Sequence, residues 1–467
     1  MIEGTLSQAA EILRGTLQGN DGEFHGISTD TRTLAAGQLF FALRGPNYDG
    51  EEFIGRAAAA RAAGAVACDA LNGHLPVIRV DNTRRALGAL AADWRMRMPA
   101  KVVGLTGSNG KTTLKELIAS CLGTSAPTLA TRGNLNNDIG VPLMLSEIEA
   151  GHRFVVIEMG ANHVGEIAYL ASLAAPQIVV ITNAAPAHLE GFGSIEEVAR
   201  AKGEILTGPV CPEWAILNAD DRFFSYWKRT ARSRTLSFGF AEGADFRALD
   251  VSSNASGSTF TLAGAEIPGS AKELQITLPL AGKHNVAHAC AAAAAASVLG
   301  IDGVLIKQGL EAATPVAGRL RPLRGIDGVS VYDDSYNANP ASVTAAAQFI
   351  AGCDGEGWLV LGDMRELGND AQELHRTVGE EAKRAGVRRL FATGTLSRNT
   401  VDAFGANAVW FKDTDSLTRA LLAELQRKRA SDPGTLNVLI KGSRSMRMEK
   451  VVDALQSHPV RSCGTGN

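Results

Sequence analysis

Val102-Val103-Gly104-Leu105-Thr106-Gly107-Ser108-Asn109-Gly110-Lys111-Thr112-Thr113 is the stretch from which the rest of the chain can be read. The apolar run Val102 to Leu105 predicts a buried strand, and the residues from Lys111 onward predict a helix. Gly107 and Gly110 permit tight turns between the two. A strand, a glycine loop and a helix N-terminus in that order surround an anion with backbone N–H groups. Lys111 brings a point charge for the β- and γ-phosphates, and Thr112 offers a hydroxyl to Mg²⁺. The expected nucleotide-binding set from this loop is Gly107, Ser108, Asn109, Gly110, Lys111, Thr112 and Thr113. The general phosphate-loop pattern carries another glycine where Leu105 stands, so this is a variant loop. A glycine turn with an incidental lysine leaves the strand, the lysine and the paired threonines unexplained.

Further apolar runs follow, at Phe154 to Ile157, Ile178 to Ile181 and Trp214 to Leu217, each ending in loop residues. Strands alternating with helical patterns predict an α/β fold with a mostly parallel sheet. Arg234 to Leu280 alternates polar and apolar residues between Gly and Ser turns, and predicts a small antiparallel insertion. From Pro315 a second series begins: Val329 to Tyr332, Trp358 to Leu361, Arg389 to Ala392, Val409 to Phe411 and Asn437 to Ile440. It predicts a second doubly wound, Rossmann-like domain. Before Pro99, short strand-like runs (Gln38 to Leu43, Val77 to Val80) mix with alanine-rich helical patterns (Phe53 to Ala63, Arg85 to Arg95). Three domains are expected: a smaller α/β domain over 1–99, an ATP-binding domain over 100–314 and a Rossmann-like domain over 315–467. The polar tail from Ser457 is expected to be disordered.

Composition excludes several classes. With 467 residues, 45% hydrophobic and 20% charged, the chain can bury several cores. A net charge of -3 and the lack of a long basic run argue against nucleic-acid binding. No 18-residue apolar stretch exists, so no membrane insertion is expected. Met1 to Arg14 has Glu3 and Glu11 and no continuous apolar segment, unlike a signal peptide; its spaced apolar residues predict a short helix. The six cysteines include no C-x-x-C pair, in keeping with free thiols in a reducing cytoplasm.

Outside the loop, single residues are ambiguous when taken alone. Glu158 follows a predicted strand, where a carboxylate can meet Mg²⁺ directly or through water. His188 lies in a loop, a position usually solvent-exposed. Lys202 sits on a predicted helix, where a solvated face is the simplest reading. His284 and His288 have the four-residue spacing of metal ligands, but no Glu stands beside the first and no third ligand follows, which argues against a zinc protease. Asn285 between them is a candidate hydrogen-bond partner for adenine.

Taken together, the motifs resemble the Mur ligase family over nearly the whole length. The matching pieces are Ser28 to Arg32, Phe40 to Gly45 with Asp49-Gly50 and Phe53, the phosphate loop, Asn134 to Pro142, Glu158 to Gly160 and Ala201 to Glu204. They continue with Gly282 to Asn285, Gly318-Arg319, Asp333 to Pro340 and Gly362 to Gly368. The resemblance implies UDP-sugar binding by the first domain, with Ser28, Asp30, Arg32 and Asp49 as substrate contacts, joined by Asn337 and Asn339. It implies Thr112 and Glu158 as ligands of one Mg²⁺, and His188 with a carbamylated Lys202 as ligands of a second. Carbamylation turns an ammonium into an anionic oxygen ligand, and needs a neutral amine that burial can supply. The resemblance further implies Asn285 at adenine, Arg319 at the transferring phosphate and Asp334 at the ribose. His288 stands where the family carries Asn.

The Tyr336 to Pro340 and Gly362 to Gly368 runs narrow the implied activity. It is ATP-dependent addition of D-alanyl-D-alanine to UDP-N-acetylmuramoyl-tripeptide in peptidoglycan precursor synthesis, by a cytoplasmic monomer. The carboxylate is first phosphorylated to an acyl-phosphate, and the amine then displaces phosphate. Lys111, Lys202, His188 and Arg319 would serve the chemistry. Thr314-Pro315-Val316-Ala317-Gly318 is a hinge candidate, beyond which Arg319 would meet the nucleotide on closure. Another ligase of the family, a folylpolyglutamate synthase-like enzyme and a nucleotide-gated binding module are the alternatives. The N-terminal segment and the lack of an Asp-Asn-Pro-Arg run weigh against the first two.

Overall fold

The structure, a computed structural model, describes residues 1–45, 48–69, 75–186, 189–208, 210–264, 267–269, 272–432 and 434–456. The polar tail from Ser457 and His188 therefore lie outside the described residues.

Three large sheets follow one another along the chain, beside two two-stranded ribbons. The first has five strands in the order Thr16–Gln18, Val77–Arg79, Gly64–Ala67, Leu39–Phe41, Ile27–Ser28. The helix Thr83–Arg97 closes its core, burying Ala86, Leu87 and Leu90 with Leu39, Phe41 and Ile78. The expected helix over Phe53 to Ala63 is shorter, Ile54–Ala59, and Arg61 turns the chain left-handed at φ 61°. A strand that alanine content hides, Gly64–Ala67, follows at once and lies inside the sheet. Met1 to Arg14 forms a strand, Glu3–Thr5, and a helix, Leu6–Leu13, capped by Thr5 and Gln8.

The second sheet has nine strands, and its order is Thr128–Ala130, Phe154–Glu158, Lys101–Thr106, Ile178–Ile181, Trp214–Asn218, Arg234–Gly239, Phe246–Asn254, Gly257–Gly264, Glu273–Leu278. Its parallel strands are buried on both faces, which is why they read as unbroken apolar runs. Val103, Leu105 and Val156 face one core, and Val102, Val155 and Ile157 face the other. Each such fully buried side chain contributes roughly 1.5–3 kcal/mol. The helix Lys283–Val298 crosses the first of these cores, and Ala289 to Ala296 include no exposed residue, so small side chains let it lie close on the helix Lys111–Gly123.

Arg234 to Leu280 is not a separate insertion. Arg234–Gly239 pairs parallel with Trp214–Asn218, and the three strands after it extend the same sheet, the last two pairings antiparallel. The alternation seen in sequence is a sheet with one buried face: Phe246, Phe260, Ile276 and Leu278 join the main core.

The third sheet has six strands in the order Arg321–Arg324, Ser330–Asp334, Leu436–Lys441, Glu356–Gly362, Arg389–Thr393, Ala408–Phe411. All pairings but the first are parallel. All five strand candidates from the sequence are present, displaced by one or two residues at their ends.

Candidate active site

The strand Lys101–Thr106 lies between Phe154–Glu158 and Ile178–Ile181, parallel to both. The chain thus winds to one side of this strand and then to the other. The loop after Thr106 opens into the crevice created where the winding reverses, the usual ligand position in such sheets.

Both loop glycines are compelled. Gly107 has φ +150°, and a Cβ there would sit 1.8 Å from Thr182 Oγ1. Gly110 has φ +78°, and a Cβ there would sit 2.2 Å from His288 Nε2. The backbone between them is pinned by the neighbouring strand end. Ser108 N–H donates to Asn183 O at 3.0 Å, and Asn109 N–H to Asn183 Oδ1 at 3.0 Å. Thr182 Oγ1 donates to Asn109 O at 2.7 Å. Lys111 Nζ donates to Gly107 O at 2.7 Å, across the mouth of the loop. Burial pulls the Lys111 pKa down, Glu158 opposes that shift and Arg319 adds to it, so these three charges share one field. Thr112 and Thr113 follow in the first turn of the helix Lys111–Gly123.

This loop forms one wall of a cavity of ≈ 1300 Å³. Ser108, Asn109, Gly110, Lys111, Thr112 and Glu158 line it from the central sheet, Arg319, Asn337 and Asn339 from the third domain, and Asn82, Arg84 and Arg85 from the first. Glu158 ends the strand Phe154–Glu158 and is 2% exposed. Its Oε1 accepts from Asn136 Nδ2 at 2.8 Å, while its Oε2 is buried without a partner. A buried carboxylate oxygen left unpaired is costly unless a cation meets it.

Lys202 overturns the solvated-face reading: it ends the helix Ile195–Gly203 with only 2% of its surface exposed. Burial lowers its pKa to about 7, and the positive charge of Lys111 pushes the same way against Glu166 and Glu204. Its Nζ lies 5.3 Å from the centre of the Phe192 ring. Neither Lys202 nor Gly107, Thr113, Asn285 or Asp334 is part of the cavity wall.

Asn285, in the first turn of the helix Lys283–Val298, is buried and donates Nδ2 to Ala281 O at 2.8 Å. That bond leaves its Oδ1, an acceptor, for an amino group. His288 is buried under Gly110, its Nδ1 lacks a partner, and burial pushes its pKa down to about 3, so the ring is neutral. His284 lies edge-on to it at 6.2 Å between ring centres.

The third domain brings its own groups to the loop. Gly318, at φ +73°, donates its N–H to Asp333 Oδ2 at 2.9 Å and turns Arg319 inward. Arg319 lies 4.1 Å over the Tyr336 ring, and its Nη2 donates to Thr112 Oγ1 at 3.4 Å. Asn339 Nδ2 donates to Asn109 Oδ1 at 2.7 Å. Glu190 N–H donates to Glu366 O at 3.3 Å, a third tie between the domains. Asp334 is held by Lys441 Nζ at 2.6 Å and by Leu320 N–H at 3.2 Å. Asn337 Oδ1 accepts from Ala338 N–H at 2.9 Å, leaving its amide nitrogen for the cavity.

The structure does not bring Ser28, Asp30, Arg32 or Asp49 to this cavity. Ser28 Oγ donates to Asp30 O at 3.1 Å, and Arg32 clasps Asp30, lowering its pKa to about 2. Asp49 caps a short helix through Glu51 N–H at 3.0 Å and pairs with Arg44 at 2.8 Å. Residues unnoticed in sequence line the cavity: Asn82, Arg84 and Arg85 from the first domain, and Lys441, Ser443, Arg444 and Arg447 from the third. Lys441 to Arg444 directly follow the strand Leu436–Lys441, and the strand-end rule that flagged Glu158 applies equally there.

Comparison with known proteins sets this geometry in context. Three family models match the chain: the Mur ligase family catalytic domain over residues 23–95, the Mur ligase middle domain over 105–296 and the Mur ligase glutamate ligase domain over 318–444. The chain is 42% identical over 463 residues to UDP-N-acetylmuramoyl-tripeptide–D-alanyl-D-alanine ligase of Escherichia coli (strain K12), covering 98% of this chain and 99% of that protein. It is 37% identical to the same-named ligase of Haemophilus influenzae, covering 98% and 99%. A crystal structure of MurF from Acinetobacter baumannii superposes with a TM-score of 0.91 at 34% identity, covering 97% of this chain and 99% of that one.

Proposed function

The chain belongs to the Mur ligase family, and from that premise we propose that it is the ATP-dependent ligase that joins D-alanyl-D-alanine to UDP-N-acetylmuramoyl-tripeptide in peptidoglycan precursor synthesis. The observation that carries this reading is the shared cavity onto which a phosphate loop and residues of both flanking domains open. A carboxylate, a nucleotide and an amine can meet there without crossing solvent.

The carboxylate cannot expel oxide, so it must first be activated. A carboxylate oxygen of the tripeptide attacks the γ-phosphorus of ATP, the bond to the β-phosphate oxygen breaks, and ADP leaves. The amine of D-alanyl-D-alanine then attacks the acyl-phosphate carbonyl. A tetrahedral intermediate collapses with loss of phosphate and of the amine proton, leaving the amide. Lys111 and the N–H groups in the first turn of the helix Lys111–Gly123 hold the phosphates, and Arg319 faces the transferring phosphoryl group from the third domain. Asn285 offers its Oδ1 to the adenine amino group, and Asp334 takes the ribose. Ser28, Asp30, Arg32 and Asp49 serve the UDP-sugar at a distance from the cavity, and Asn337 and Asn339 belong to its wall.

Among the described residues, Thr112 and Glu158 fit a metal ion. Thr112 with Glu158, whose Oε2 is buried and unpaired, would hold one Mg²⁺. His188 with carbamylated Lys202 would hold a second. When bound, these ions reduce repulsion between the anionic carboxylate and the anionic nucleotide. The lowered Lys202 pKa supports carbamylation, because only the neutral amine reacts with CO₂.

Among the described residues no helix is long and apolar enough to cross a membrane. Each chain carries all three walls of the cavity, which supports a monomer working in the cytoplasm on a soluble nucleotide-linked substrate. The test is phosphate release with UDP-N-acetylmuramoyl-tripeptide and D-alanyl-D-alanine, added singly and together, with the product weighed by mass spectrometry. Sustained release that needs both, with UDP-N-acetylmuramoyl-pentapeptide as product, is the expected result. Release indifferent to either substrate would identify a nucleotide-gated binding module instead.

A further inference from the structure

Asn339 and Asn109 meet across the boundary between the third domain and the phosphate loop, and the chemistry of each amide leaves no choice of direction. Asn339 caps the helix Pro340–Ala351: its Oδ1 accepts the Ser342 N–H at 3.0 Å. A backbone N–H can only donate, so the cap bond fixes which end of the Asn339 amide is oxygen. Its Nδ2 is therefore the end turned to Asn109, where it donates to Oδ1 at 2.7 Å. That bond in turn fixes the Asn109 amide. With Oδ1 engaged, Nδ2 is the edge left over, and Asn109 lines the cavity beside Lys111. The Asn109 backbone is immobile, since Asn183 and Thr182 hold its N–H and carbonyl at 3.0 and 2.7 Å. Asn339 is only 8% exposed, so water competes little for the relay.

We propose that Asn339 is a positioning residue that sets the polarity of the phosphate loop: through the helix cap it holds the Asn109 amide with its donor edge toward the cavity, ready for a nucleotide phosphate. The third domain thus determines the sign of one contact in a site whose backbone belongs entirely to the second. The inference rests on the nucleotide-binding half of the proposed function alone.

A hydrogen-bond relay makes an unusual demand on two conservative variants. N339S keeps a capping oxygen but is too short to reach Asn109, so the loop amide is freed without being reversed. N339D keeps the cap and the length, yet offers Asn109 a second acceptor. Asn109 must then turn its Nδ2 to the aspartate and its Oδ1 to the phosphates. The measurement is calorimetric binding of ADP with Mg²⁺ to the full chain, with thermal melting as a check on folding. Expected affinities fall about tenfold for N339S and about a hundredfold for N339D. In an N109A background the serine and aspartate variants should agree within about twofold. If N339D binds as tightly as N339S, or if their gap survives in N109A, the relay does not exist. Should the residue 339 variants fail to fold, N109D tests the same relay from the loop side, since it keeps the acceptor for Asn339 and replaces the donor edge by oxygen. Wild-type ADP affinity in N109D would overturn the proposal. None of these readouts depends on which amide is made, so failure of the ligase assay and failure of the relay are distinguishable.

Discussion

The second and third domains both end a parallel sheet at the same cavity, and they equip those ends differently. In the second domain the strand Lys101–Thr106 runs straight into a loop whose backbone does the work: two glycines at positive φ, N–H groups pinned by Asn183, a carbonyl pinned by Thr182, and one lysine. In the third domain the strands Ser330–Asp334, Glu356–Gly362 and Leu436–Lys441 end in side chains drawn from separate loops: Arg319 stacked on Tyr336, Asn339 in its cap, Lys441 on Asp334, and Arg365 beside the buried Asp363. A backbone cradle suits an anion that is the same in every turnover. Side chains on a domain tied to the second domain by Arg319, Asn339 and Glu366 suit a step that must wait until the domains are together.

The sharpest way to break that contrast is to remove one group from each face. K111M should lower kcat/KM on the order of a thousandfold, because it removes a charge from the phosphates in a partly dry site. K202M should cost activity by a similar factor while raising the melting temperature, since a lysine whose amine is hard to charge in the folded state destabilises it. The sign follows from the pKa lowered from 10.5 to about 7: the unfolded chain binds more protons between those values, so stability rises with pH across that window in the wild type and not in K202M. Wild-type activity in CO₂-free buffer should fall and return with bicarbonate, with recovery faster at pH 8 than at pH 6. An unchanged melting temperature in K202M would separate burial from function at that site.

K441M should destabilise the third domain by about 3 kcal/mol, because it leaves Asp334 largely buried without its 2.6 Å partner; chemical denaturation measures it. R319A should lower kcat about a hundredfold while ADP affinity stays within about threefold, which single-turnover acyl-phosphate formation can read. If R319A instead weakened ADP binding as much as K111M, the division between a holding face and a reacting face would be wrong. N285A should raise the KM for ATP about tenfold with kcat unchanged, the smallest of these effects because it concerns a base remote from the chemistry.

Legibility in the sequence followed the range of the interactions. The loop, the strand Phe154–Glu158 with its terminal carboxylate, and five of the six strands of the third sheet were readable because apolar runs between loop residues are local signals. Gly64–Ala67 was missed because alanine favours a helix until neighbouring strands enlist it. Arg234 to Leu280 showed its alternation but not its partner, since pairing with the main sheet is not written in any local pattern. Ser28 to Arg32 and Asp49 stood out in sequence, yet Asp30 pairs with Arg32, Asp49 pairs with Arg44, and all lie outside the cavity wall.

The loop from Val102 to Thr113 therefore determined by itself that an anion would bind, because strand, glycines, lysine and helix N-terminus are consecutive and need only the chain's own stereochemistry. Tertiary structure alone decided the state of Lys202 and the orientation of Asn109. A pKa depends on the solvent that other segments exclude, and an amide's direction depends on a donor 230 residues away.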